Sequence, residues 1–190
     1  PDSKIQSLES MFQCDSPRNT FVAVHLLLRG IEPGTSLKLS SNIEGDWYQL
    51  LTVPVEENTG TKSRTEQFNG EKNPDVIRRA PFDVYEVMRP ISRTIVPDGD
   101  VTALRFEITV QNDAAIGSQV VELKLQQNND EVTSQFQVNI FPATVPASGA
   151  NTLSYTNWFD LTKMSTFHGI EPYSEEHWEI IDKYAALMKR

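Results

Sequence analysis

The chain has 190 residues, 38% hydrophobic and 23% charged, which is enough apolar material for a folded core and excludes wholesale disorder. Its net charge of −9 repels phosphate backbones, so nucleic acid is not an expected partner. The longest apolar run, FVAVHLLL at 21–28, falls well short of the ~18 residues of a membrane-crossing helix.

In chain order, Cys14 comes first as the single cysteine; it cannot close an internal disulfide or build a metal cage, and reads as a small buried or half-exposed thiol. Thr20–Arg29 is densely apolar with β-branched and aromatic members, the pattern of a strand buried on both faces. Leu37, Leu39 and Ile43 alternate with polar residues, and Glu44-Gly45-Asp46 turns the chain into a strand over Trp47–Val53. Trp47 fits a plug between two sheets; an exposed Trp47–Tyr48 pair would instead suit sugar binding. The stretch 56–75 carries one strongly hydrophobic residue, Phe68, and reads as a long loop. Two roles fit it: a mobile surface excursion, or a segment that packs on a neighbouring domain or shapes a ligand groove.

Further along, Phe82, Val84 and Met88 share one strand face, and Tyr85 and Val87 the other. Leu104, Phe106, Ile108 and Val110 alternate strictly with Arg105, Glu107 and Thr109. Val121, Leu123 and Leu125, then Phe136, Val138 and Ile140, flank the polar hairpin signal QQNNDE. About seven strands with turn signals between them, and no helix before 141, predict an antiparallel β-sandwich.

The proline- and alanine-containing stretch at 141–151 predicts an extended linker and splits the chain into a sandwich at 1–147 and a second unit at 148–190. Residues 152–159 read as a strand, and a polar loop runs from there to Tyr173. Ser174 is a good N-cap, with Glu175 and Glu176 at the positive end of the helix dipole. Trp178, Ile181, Ala185 and Met188 fall on one helical stripe that Ile180, Tyr184 and Leu187 widen. One strand and one helix make one β/α unit, and such a helix needs a sheet to bury its stripe. The expectation is the front part of a longer protein, whose last helix, left alone, frays or self-associates.

Four stretches together resemble the start of glycoside hydrolase family 123: RRAPFDVYEVMRPI at 78–91, FQVNIFPATVP at 136–146, LSYTNWFD at 153–160 and HGIEPYSEEHWEIIDKYAALMKR at 168–190. The resemblance implies a β-sandwich followed by a (β/α)8 barrel, here truncated after its first β/α unit. It implies a β-N-acetylgalactosaminidase activity on terminal N-acetylhexosamine. The substrate's own acetamido oxygen attacks in a retaining mechanism, supported by an adjacent Asp-Glu pair. It also implies a bacterial protein that is secreted or periplasmic, with a carbohydrate substrate and no cofactor. No Asp-Glu pair follows residue 148, and Asp130-Glu131 belongs to a hairpin turn, so no catalytic residue is assigned and the 190-residue chain itself is expected not to hydrolyse.

Barrel sites are built at the C-terminal ends of strands. Asn157, Trp158, Phe159 and Asp160 end the predicted strand, and His168 and Tyr173 lie on the loop that would rim the pocket. Amides suit sugar hydroxyls and aromatic faces suit sugar C–H surfaces, so Asn157, Trp158, His168 and Tyr173 are the substrate-binding candidates. Trp158 alternatively packs in the barrel, and His168 alternatively orders its loop. Trp178 reads as core. His25, His168 and His177 lack metal-ligand spacing, and no GxSxG elbow is present. Two other readings stay open: a non-enzymatic carbohydrate- or protein-binding module, and a structural sandwich whose C-terminal helix docks in an oligomer.

Overall fold

Alternating apolar residues need a second layer to cover them, and here two sheets cover each other. In a computed structural model that describes residues 11–61, 64–99, 101–147 and 159–188, the chain divides into two compact units, Pro1–Ala147 and Ser148–Arg190. The described residues of the first unit form strands β1 (Phe12–Arg18), β2 (Thr20–Arg29), β3 (Leu37–Ser41), β4 (Asp46–Val55), β5 (Phe82–Ile91), β6 (Thr94–Ile95), β7 (Val101–Val110), β8 (Gly117–Gln127) and β9 (Asp130–Thr144), with one short helix, α1 (Glu66–Asn69). The first sheet runs β1-β9-β8-β3-β6 and the second β2-β7-β4-β5.

The strictly alternating runs supply the core. Leu104 and Phe106 of β7, Val121 and Leu123 of β8 and Phe136 of β9 are at most 1% exposed. Trp47 is the plug between the sheets, its ring centroid 4.6 Å from that of Phe106, so it is no surface sugar platform. Gly45 permits this packing: a Cβ there would lie 2.5 Å from Phe106 Cζ and 2.6 Å from the Glu107 carbonyl oxygen. Asn128, at φ 55°, opens the two-residue turn between Gln127 and Asp130, a backbone region that asparagine tolerates.

Several expectations need correction. The described residues form nine strands rather than about seven, and β1 pairs with β9 in parallel, so the first sheet is mixed rather than wholly antiparallel. The ladder shifts between Ser16 and Arg18, at Pro17, which has no N–H to donate and is tolerated on an edge strand. β2 is not buried on both faces. It is the edge of its sheet; Val22 and Val24 face the core, while Phe21 and Leu27 stand 56% and 43% exposed on the far side. In β5 the pairing passes from Leu51↔Val87 to Thr52↔Tyr85 and skips Glu86. This bulge moves Val87 onto the face of Phe82 and Val84, and Met88 onto the face of Tyr85. Residues 141–144, read as linker, are the tail of β9, held by the Arg18 guanidinium donating to the Pro142 carbonyl at 2.9 Å and by Asn19 donating to the Val145 carbonyl at 2.7 Å.

The 56–75 stretch has structure of its own. Thr65 caps α1 by accepting from Phe68 N, and Gly70 ends it at φ 71°. The Glu66 carboxylate accepts from the Asn73 backbone N–H at 2.5 Å, from the Arg79 guanidinium and from the Asn58 amide.

Candidate functional site

The second unit holds the candidate residues that the structure describes. Asp160 is not a strand-end ligand but an N-cap: its Oδ1 accepts from Lys163 N at 3.0 Å and starts α2 (Leu161–His168). The segment expected as a polar loop is therefore a helix. Gly169 ends it at φ 66°, with Ile170 N–H reaching back to the Ser165 carbonyl at 3.0 Å. A six-residue connection, 169–174, leads to α3 (Glu175–Met188), whose cap is the predicted one: His177 N–H donates to Ser174 Oγ at 3.2 Å.

His177 is the residue that sequence reasoning missed. It is the fully buried side chain of α3, at 0% exposure. Its Nδ1 accepts from the Tyr173 backbone N–H at 2.8 Å and so holds Tyr173 at φ 63°. That bond assigns the ring proton to Nε2, which is buried without a hydrogen-bond partner. The only sequence signal was its place three residues after the cap, where a side chain turns back over the helix start. Trp178, expected in the core, is 51% exposed. The helix turns about 100° per residue, so burying His177 directs its neighbour elsewhere. Trp178, Ala185 and Met188 of the predicted stripe all stand exposed.

His168 ends α2 rather than lying on a loop, and its Nε2 lies 3.1 Å from Tyr184 Oη on α3, ring edge to ring face. Tyr173 sits in the connection, 59% exposed, with its ring near those of His177 and Trp178. The two candidates are thus each tied to α3, through different partners. Asn157 and Trp158 fall outside the described residues, as does the strand expected over 152–159 except for its last residue, Phe159. Phe159 is 48% exposed. The His168–Tyr184 and Tyr173–His177 pairs can present an imidazole nitrogen and an aromatic face.

Asp130 and Glu131 are exposed and open β9 directly after the turn. The Cys14 thiol is half-buried, and burial together with neighbouring Asp15 pushes its pKa up, which makes it a poor nucleophile. A recess of about 210 Å³ at one end of the sandwich is lined mainly by core residues such as Ile108, Val121 and Ile140. On the outer face of the second sheet, Arg105 donates to Glu107 at 2.7 Å and lies 3.2 Å from His25 Nε2. Partial burial and the Arg105 cation hold His25 below the usual histidine range. Among the described residues no group of three His, Cys, Asp or Glu side chains could hold a metal ion, and no helix is long and apolar enough to cross a membrane.

The fold occurs in a solved glycoside hydrolase. That protein is the family 123 enzyme from Clostridium perfringens, whose structure was solved to describe glycolipid glycan hydrolysis; it aligns at 10% identity with a TM-score of 0.58, over 90% of this chain and 30% of that one. Ninety per cent of 190 residues is 171, more than the 147 of the first unit, so the match extends into the second. An endo-fucoidan hydrolase of glycoside hydrolase family 107 aligns at 10% identity over 71% of this chain and 13% of its own, but its TM-score of 0.31 carries no weight. No protein-family model and no curated protein matches the chain. The chain has the fold of a part of the family 123 enzyme and spans 30% of its length.

Proposed function

We propose that this chain is the N-terminal part of a bacterial glycoside hydrolase related to family 123, secreted or periplasmic, acting on terminal N-acetylhexosamine. In this reading the sandwich supports a (β/α)8 barrel whose first unit begins at residue 148. Hydrolysis is substrate-assisted and retaining: the acetamido oxygen of a β-GalNAc-like sugar attacks its own anomeric carbon. The observation that carries the reading is the fold match, which runs through the sandwich into the second unit of the chain. The same motifs that resemble the family, LSYTNWFD and HGIEPYSEEHW, lie in that second unit.

Within the reading, Asn157, Trp158, His168 and Tyr173 contact the sugar. His168 has Nε2 engaged by Tyr184, which leaves Nδ1 for a hydroxyl. Tyr173 turns an exposed ring outward, a surface for sugar C–H groups. Glycoside cleavage needs carboxyl groups fixed around the anomeric carbon; the acids of the helix pair, such as Glu175 and Glu176 in the first turn of α3, are not the adjacent Asp-Glu pair the reading calls for. The 190 residues therefore bind or support rather than hydrolyse. A non-enzymatic binding module remains the second reading, favoured by Phe21 and Leu27 standing exposed on the outer face of the second sheet.

The test uses the longer gene product that the reading requires. It is expected to release the aryl group from an aryl N-acetyl-β-galactosaminide, with Asn157→Ala lowering kcat/KM while the melting temperature holds. Wild-type turnover in Asn157→Ala would remove that residue from the site. A gene that stops after the Arg190 codon would defeat the enzyme reading and leave the binding module.

A further inference from the structure

On the outer face of β2 stand Phe21, Ala23, His25 and Leu27, since side chains alternate and Val22 and Val24 point into the core. Ala23 is the small one, so the face dips there. Phe21 and His25 wall the dip, about 13 Å apart at ~3.3 Å per residue. On one side lies β7, where Glu107 pairs in register with Ala23 and Arg105 with His25. On the other lies the sheet edge, because β2 is the outermost strand.

The side chains around the dip form one set. Arg105 donates to Glu107 from Nε at 3.1 Å and from Nη2 at 2.7 Å. Both bonds end on Oε2, which leaves Oε1 as an acceptor. Arg105 Nη1 lies 3.2 Å from His25 Nε2. A guanidinium only donates, so Nε2 accepts and the imidazole proton sits on Nδ1. Partial burial and the same cation favour this neutral ring. The Phe21 ring, 56% exposed, has its centre 5.7 Å from the Arg105 guanidinium. A donor fork, a carboxylate oxygen, an imidazole N–H and an aromatic ring thus surround one small residue.

We propose that this dip in the first unit is a binding site for a neutral pyranose. A hydroxyl both donates and accepts. It can take a hydrogen bond from Arg105 Nη and give one to Glu107 Oε1, while the sugar's C–H surface lies against Phe21. Other ligand classes match less well. An anion finds Arg105 already neutralised by Glu107, and meets exposed Asp46 beside Glu107 on β4 in a chain of net charge −9. A cation would use Glu107 but face the Arg105 fork. A purely apolar group would strip water from the ion pair without replacing its hydrogen bonds. The inference goes beyond the hydrolase reading and does not depend on it.

The test follows backbone amide shifts of the 190-residue chain by NMR during titration with the methyl glycosides of glucose, galactose and mannose in turn. At least one is expected to shift residues 21–25 and 105–107 with a Kd on the order of 1 mM, the strength of a few hydrogen bonds and one ring contact. Methyl glucuronide, which adds a carboxylate, is expected to bind more weakly than methyl glucoside. Ala23→Leu fills the dip without removing any of its polar groups and is expected to abolish the shifts. Arg105→Lys loses the fork and weakens binding by about tenfold. Val120→Ala, on the first sheet, leaves it unchanged. Dispersion of the same amide spectrum reports whether each variant is folded. No shift at residues 21–25 or 105–107 with any of the three sugars at about 20 mM overturns the proposal. So do shifts that survive Ala23→Leu in the folded variant, or glucuronide binding as tightly as glucoside. Shifts confined to His168 and Tyr173 overturn it too, while supporting the site of the second unit.

Discussion

Glu66 shows how much one side chain organises. Its carboxylate gathers the Asn73 N–H, the Arg79 guanidinium and the Asn58 amide, while Asn58 Oδ1 accepts from Ala80 N–H at 2.8 Å. The connection between β4 and β5 is thereby closed on itself at four points. The Asn73 N–H first, then Arg79, hold the Glu66 pKa below the usual glutamate range. A depressed pKa means that the folded form favours the charged carboxylate. Its contribution to order is complete above the ordinary glutamate value and is lost as pH falls through the depressed one. Residues 56–80 are expected to lose hydrogen-exchange protection in that acid window before the sheets do, and Glu66→Gln is expected to show the same loss at neutral pH. Unchanged protection in Glu66→Gln would show that the loop is held by something other than this carboxylate.

At the scale of elements, the informative contrast is between α3 and the strands of the core. Core strands are buried by partners on two sides. α3 buries His177 and leaves Trp178 and Leu187 exposed at 51% and 64%, so its stability leans on local terms. The cap is one of them. Ser174→Ala removes the acceptor for His177 N–H and is expected to cost the helix about 1 kcal/mol. Hydrogen exchange over 175–188 reads it as an opening free energy lowered by that amount. An unchanged value would mean that tertiary contacts, not the cap, hold the first turn. The same exposed stripe is why α3 is expected to fray in dilute monomer, where helices of this length are marginal.

For the whole molecule, the core residues from Val22 to Ile140 form one cluster within the first unit. A unit with its own closed core can fold alone. A piece ending at Ala147 is therefore expected to keep the main thermal transition of the 190-residue chain within a few degrees. Loss of that transition in calorimetry would mean that the sandwich depends on residues beyond 147. The candidate binding residues belong to the other unit: His168 ends α2, and Tyr173 lies in the connection to α3.

The sequence by itself determined what is local. Side chains alternate along a strand, so Leu104–Val110, Val121–Leu125 and Phe136–Ile140 announced both their strands and their inward faces. Ser174 announced its helix because a cap acts within one turn. Asp160 and Gly169 bracket α2 just as legibly, but the polar stretch between them, LTKMSTFH, hides any apolar stripe. Only the tertiary structure decided what depends on a distant neighbour. Phe12 lies beside Phe136 in a parallel pair, and nothing local marks a partner that far along the chain. The β2 run reads as buried on both faces, yet it lies at the edge of its sheet, because apolar content does not say which strand lies alongside. Of the site, His168 and Tyr173 could be named from residue type, but the contact of His168 with Tyr184 required the two helices to fold back on each other, and the Tyr173–His177 bond required the left-handed residue ahead of α3. Periodicity is written in neighbours along the chain, whereas pairing and burial are set by neighbours in space.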